Sequence, residues 1–119
     1  YHRKSIANTW SIEYGSSDNP EQFRYLYKYS PYHNIRENVK YPAMLITTSE
    51  NDTRVDPMHA LKMVAKLQDA NPEGAPILLI VRKSSGHSGG TTISKNIEQA
   101  SEQMAFLMKM LDVHMTDVA

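Results

Sequence analysis

The stretch AMLITTSENDTRVDPMHALKMVAKLQDANPEGAPILLIV, residues 43–81, decides the fold. Its two ends, residues 43–48 and 77–81, are short apolar runs without polar alternation, the pattern of strands buried on both faces. Between them Asp56 and Pro57 start a helix, since proline suits the first helical position. Met58, Leu61, Val64, Ala65 and Leu67 supply its apolar residues, and it ends before the turn Asn71-Pro72-Glu73-Gly74. Strand, helix and strand of this kind join as parallel neighbours through a right-handed crossover.

On the C-terminal side the run from Arg82 to Gly90 is rich in Ser and Gly and reads as a loop. Beyond it Ile93, Ile97, Ala100, Met104, Leu107 and Leu111 step by four and three along a long amphipathic helix, and the tail frays from Asp112. On the N-terminal side Asn19 caps, Pro20 opens, and Phe23, Leu26, Tyr27 and Tyr29 form the apolar stripe of a helix that stops near Ser30 and Pro31. Residues 5–14, with Ile6, Ala7, Trp10 and Tyr14, give a weaker helix ending at Gly15, and residues 32–42 read as polar and irregular. The fold class is α/β, with parallel strands and crossover helices on both faces. Two strands do not make a stable sheet alone, so about half of the sheet is expected to be missing. The bare edge of strand 43–48 then predicts a homo-oligomer or a domain swap.

The 119 residues, 40% hydrophobic and 22% charged, suffice for one modest core and bury roughly two thirds of their unfolded surface. Thirteen Lys and Arg balance thirteen Asp and Glu, which leaves no electrostatic footprint for nucleic acid or an anionic membrane. The expected partner is small or peptidic. Without cysteine there are no disulfides, thiolate zinc sites or cysteine nucleophiles; this fits a reducing compartment, and a cytoplasmic location is expected. No apolar run reaches the roughly 18 residues that cross a bilayer. The start at Tyr1, with neither Met nor a signal segment, is expected of a chain cut from something longer.

In open parallel sheets, ligands and catalytic groups gather past the carboxyl ends of the strands. Asp52 and Arg54 follow the first strand; His87, flanked by Gly86 and Gly89, follows the second. An acid after one strand and a histidine after the next are the last two members of the Ser, Asp, His order of α/β serine hydrolases. There the histidine takes and returns the serine proton while the carboxylate holds the ring in its working tautomer. Taken singly, Asp52 is also ordinary turn chemistry and His87 ordinary loop.

Several stretches together are specific: residues 10–15 (WSIEYG), 29–34 (YSPYHN), 41–45 (YPAML), 52–59 (DTRVDPMH), and Gly86-His87 before a Gly-rich turn. In these, residues 1–112 resemble the last part of the peptidase domain of the prolyl oligopeptidase family, serine endopeptidases that cut short peptides after proline. The resemblance implies a partial α/β-hydrolase fold lacking the N-terminal half of its sheet, so that residues 1–119 form a single C-terminal fragment. It puts the triad acid on Asp52 and the triad histidine on His87. Arg54 matches the arginine that holds the backbone carbonyl and carboxylate side of the bound peptide, a task for a rigid fork of donors. Trp10, Tyr14 and Val55 match residues lining the proline pocket. A proline-containing peptide is the implied substrate, and no cofactor is implied.

Thr53 stands where the family commonly has a second acid, and Ser88 where it usually has Gly or Ala. The nucleophile elbow, oxyanion donors and β-propeller lie upstream in the family, so the fragment alone is expected to be inactive. Residues 86–90 also fit G-x-S-x-G, which would make Ser88 the nucleophile of a small esterase. Residues 82–85 separate that motif from its strand, however, and only Asp112, His114 and Asp117 follow it. A non-enzymatic interaction module is the third reading. The histidines at 2, 33, 59, 87 and 114 lack metal-site spacing, so no metal is expected. The tyrosines at 25, 27, 29 and 32 fit a half-buried helix and loop better than a base-stacking platform.

Overall fold

The computed structural model describes residues 9–83 and 92–114. They fall into two compact units, residues 1–88 and 89–119. The first contains helices α1 (Ser11–Tyr14) and α2 (Pro20–Tyr29), a 3-10 turn (Tyr32–Asn34), strand β1 (Met44–Ser49), helix α3 (Met58–Ala70) and strand β2 (Ile77–Arg82). The second contains helix α4 (Ile93–Leu111).

β1 and β2 pair in parallel, from Met44 opposite Ile77 to Ser49 opposite Arg82. Both strands run one residue beyond their expected ends, because Ser49 and Arg82 still pair. α3 packs against both strands, giving the strand, helix, strand unit that the sequence indicates. Its inward face carries Val64, 3% exposed, and Leu67, 1% exposed, against Ile77, with Met63, Met44, Ile46 and Leu79 closing around them. Fully burying a side chain such as Leu67 stabilises by about 1.5–3 kcal/mol.

One expectation is corrected here, that of strands buried on both faces, and the inward arc of α3 is narrower than its set of apolar residues. Leu61 is 45% exposed and Ala65 is exposed, because the inward arc of α3 follows residues 63, 64 and 67, and at about 100° per residue positions 61 and 65 point elsewhere. Nor are the strands buried on both faces: Leu78 is 46% and Val81 38% exposed. Met44, Ile46, Ile77 and Leu79 face the core cluster under α3, and the alternate residues face the other side of the pleat.

The remaining elements end as their chemistry dictates. Asn19 Oδ1 accepts the N–H groups of Glu21 and Gln22 at 3.0 and 3.2 Å, so α2 starts where the cap predicts. At its other end the Asn34 amide donates to the carbonyls of Tyr27, Lys28 and Ser30, which closes the orphan acceptors of the last turn. The 3-10 turn, absent from the sequence expectation, is tied to α3 by Lys66 Nζ, which donates to the Tyr32 carbonyl at 2.8 Å. The Lys62 and Lys66 ammonium groups also lie 4.9 and 4.8 Å from the Tyr32 ring centre, a cation–π distance. α1 is a single turn after a 3-10 start at residues 9–10; the earlier part of the expected N-terminal helix, residues 5–8, lies outside the described residues. Gly15, at φ 92°, ends α1; a Cβ there would be strained and would meet Gln22 Cβ at 3.3 Å. α4 spans the residues of its expected stripe, whose side chains at Ile93, Ile97, Met104, Leu107 and Leu111 are exposed, and it ends at Asp112 in the left-handed conformation, with its N–H donating to the Met108 carbonyl.

Candidate active site

The tips of β1 and β2 are held together. The Glu50 N–H donates to the Arg82 carbonyl at 3.0 Å, and the buried Ser49 hydroxyl reaches the same oxygen at 3.4 Å. The chain therefore leaves both strands from one rim, where the loops of an open parallel sheet present their side chains. Past that rim the Asp52 N–H donates to the Ser49 carbonyl at 3.2 Å. The carboxylate then turns back on the loop, and Oδ1 accepts the N–H groups of Arg54 at 2.9 Å and Val55 at 2.8 Å.

That pair of hydrogen bonds from the backbone holds Asp52 as a half-buried carboxylate at the strand tip. It also fixes the backbone of the two residues beside it. Arg54 is exposed, and its guanidinium makes no hydrogen bond or ion pair with the described residues. A fork of five donors is thus presented outward from a backbone closed by Asp52. Val55, 39% exposed, offers an apolar surface next to it. Loop closure by Asp52, and again by Asp56, whose Oδ1 accepts the Met58 N–H at 2.9 Å, carries the chain into α3.

The structure thus brings Asp52, Arg54 and Val55 into one loop. Trp10 and Tyr14 stand on a different element, the N-terminal turn and α1. Trp10 is half-buried and Tyr14 is 55% exposed. Tyr14 lines an apolar groove of about 540 Å3 together with Phe23, Leu26, Tyr27, Tyr29 and Pro31. His87 and Ser88 lie outside the described residues. Among the described residues no group of three His, Asp or Glu side chains is arranged to hold a metal ion, and no helix is long and apolar enough to cross a membrane.

Sequence reasoning missed two contacts. Ser30 Oγ and His33 Nδ1 are 2.8 Å apart, and the imidazole lies 4.8 Å from the Tyr27 ring and edge-on to Tyr32 at 5.1 Å. The signal was the Ser-x-x-His spacing across a turn. The turn closed by Asp56 is the other; Asp two residues before a helix start is its signature.

The family model described as the prolyl oligopeptidase family matches residues 1–114. A prolyl oligopeptidase of Dendrothele bispora is 45% identical over 117 residues, which are 97% of this chain and 16% of that relative. A chain from a structural study of two prolyl endopeptidases superposes with a TM-score of 0.91 at 42% identity, over 96% of this chain and 17% of its own length. Prolyl oligopeptidase B from Galerina marginata, bound to a 35mer hydrolysis and macrocyclization substrate, gives a TM-score of 0.90 at 36% identity, over 98% of this chain and 16% of its own. The chain matches the C-terminal part of these longer enzymes.

Proposed function

The chain belongs to the prolyl oligopeptidase family, and from that premise we propose that it forms part of a serine peptidase that hydrolyses short peptides on the carboxyl side of proline. Asp52 is the triad acid, His87 the general base and acid, Arg54 the anchor for the peptide backbone, and Trp10, Tyr14 and Val55 walls of the proline pocket. The observation that carries this reading is the Asp52 carboxylate, at the tip of a parallel strand, with Oδ1 committed to two backbone N–H groups. With Oδ1 engaged by the loop backbone, this reading assigns Oδ2 to the imidazole of His87. Two N–H donors also favour the ionised form, which the role requires.

The chemistry then follows the serine hydrolase pattern. A serine from the remainder of the enzyme attacks the carbonyl carbon of the proline residue, and its proton passes to the imidazole of His87. Asp52 stabilises the imidazolium, the proton moves on to the leaving amine, and water releases the acyl group by the same steps. Alone, residues 1–119 have a base with no serine nucleophile to activate, so the isolated chain is inactive. The relative captured with a 35mer substrate supports a peptide ligand for this one.

A suitable host for tests is the Dendrothele bispora enzyme with its matching segment replaced by this chain. In that chimera cleavage after proline is expected to exceed cleavage after alanine in an otherwise identical peptide. Trp10→Ala should narrow this preference by about tenfold, since an aromatic wall contributes about 0.5–1.5 kcal/mol beyond its buried area. A preference unchanged by Trp10→Ala would remove the pocket assignment.

A further inference from the structure

Between the end of β1 at Ser49 and the start of α3 at Met58 the chain makes two turns, each closed by an aspartate. Asp52 Oδ1 closes the first over Arg54 and Val55. Asp56 closes the second: its Oδ1 accepts the Met58 N–H at 2.9 Å, and its carbonyl accepts the His59 N–H at 3.0 Å. Arg54 and Val55 are suspended between these two fixed points.

We propose that Asp56 is a positioning residue for substrate binding, acting through the backbone of Arg54 and Val55; this rests on the assignment of those two residues to the peptide-binding site. The reason lies in how Arg54 is held. Its exposed guanidinium makes no hydrogen bond or ion pair with the described residues, so no polar partner there directs the side chain and its backbone sets where it starts from. That backbone is anchored upstream by a carboxylate whose own task is catalytic. The downstream anchor is Asp56, half-buried beside Pro57, where proline fixes φ and provides no N–H of its own. Without the Asp56 carboxylate the stretch leading into α3 regains freedom at its downstream end, while Asp52 keeps both of its backbone donors. Substrate binding weakens and the acid stays in place.

The prediction is therefore a split between KM and kcat. In the chimera, Asp56→Ala should raise KM for a proline-containing peptide about 3- to 10-fold, the range of a net intramolecular hydrogen-bond contribution. It should leave kcat within about twofold and the acidic limb of the pH–rate profile unmoved. Asp56→Asn, which retains an acceptor oxygen at the same place, should return KM to within about twofold of the parent. In an Arg54→Ala background Asp56→Ala should add less than about twofold, since the residue it positions is gone. If Asp56→Ala folds poorly, Asp56→Ser supplies a weaker acceptor and should give an intermediate KM. A lowered melting temperature with unchanged KM would make Asp56 merely structural and overturn the inference, as would an undiminished KM effect in the Arg54→Ala background. An Arg54→Ala variant with unchanged KM would remove the substrate role of Arg54 itself, and this inference with it. An effect of Arg54→Ala without one of Asp56→Ala would remove only the inference.

Discussion

Asp52 does two separable things, and a pair of substitutions pulls them apart. Its Oδ1 holds the N–H groups of Arg54 and Val55 at 2.9 and 2.8 Å, which shapes the loop; its charge serves the imidazole. Asp52→Asn keeps an acceptor for both N–H groups and removes the charge. By the serine-protease template, kcat in the chimera should fall about 10^4-fold, or about 5.5 kcal/mol in the barrier, with the loop intact. Asp52→Ala removes the acceptor as well. Two hydrogen bonds at about 0.5–1.5 kcal/mol net each give about 1–3 kcal/mol of local stability, and a half-exposed loop belongs at the lower end of that range. Hydrogen exchange followed by mass spectrometry reads this directly. The Arg54 and Val55 amides should exchange roughly 5- to 10-fold faster in the Ala variant than in the parent, and at nearly the parental rate in the Asn variant. Both variants should be equally slow as catalysts. A near-normal kcat for Asp52→Asn refutes the acid assignment. Unchanged exchange in Asp52→Ala refutes the claim that this carboxylate builds the loop.

Three further outcomes follow from the same geometry. Leu67→Ala empties the best-buried position of the core and should destabilise the first unit by about 2–5 kcal/mol, measured by urea denaturation of the isolated chain; a loss below about 1 kcal/mol would show that the packing under the sheet is not the core. A fluorophosphonate probe should leave the isolated 119-residue chain unlabelled, whereas labelling at Ser88 would favour the small-esterase reading. The isolated chain should also self-associate in sedimentation velocity, since among the described residues the sheet has only two strands, and such edges pair readily; a clean monomer at micromolar concentration would contradict this.

The parts of the fold legible in the sequence are those governed by local rules. Asn19 before Pro20 gave the start of α2, the Asn-Pro-Glu-Gly run gave the end of α3, and the two apolar runs gave the parallel pair. What local rules leave open is which residues of an element face the core. Leu61 is as apolar as Leu67, yet one is 45% and the other 1% exposed, because only the partner strand decides which arc of the helix is covered. The uninterrupted apolar run of β2 likewise did not reveal that α3 covers one side of it. Asp52, Arg54 and Val55 share one loop, as neighbouring positions must; the strand-tip rule points to Asp52 and Arg54, and Val55 is singled out by the family resemblance alone. The turn closed by Asp56 and the Ser30–His33 contact depend on side-chain direction within a turn, which spacing alone does not fix.

The most direct test of the account is the distance between the Asp52 carboxylate and the His87 imidazole in a crystal structure of the full-length chimera with peptide bound. An oxygen of Asp52 at about 2.6–3.2 Å from a ring nitrogen of His87 is the expected result. An ordered imidazole beyond about 4 Å, with the Asp52 turn intact and a carboxylate other than Asp52 in that place, would contradict it.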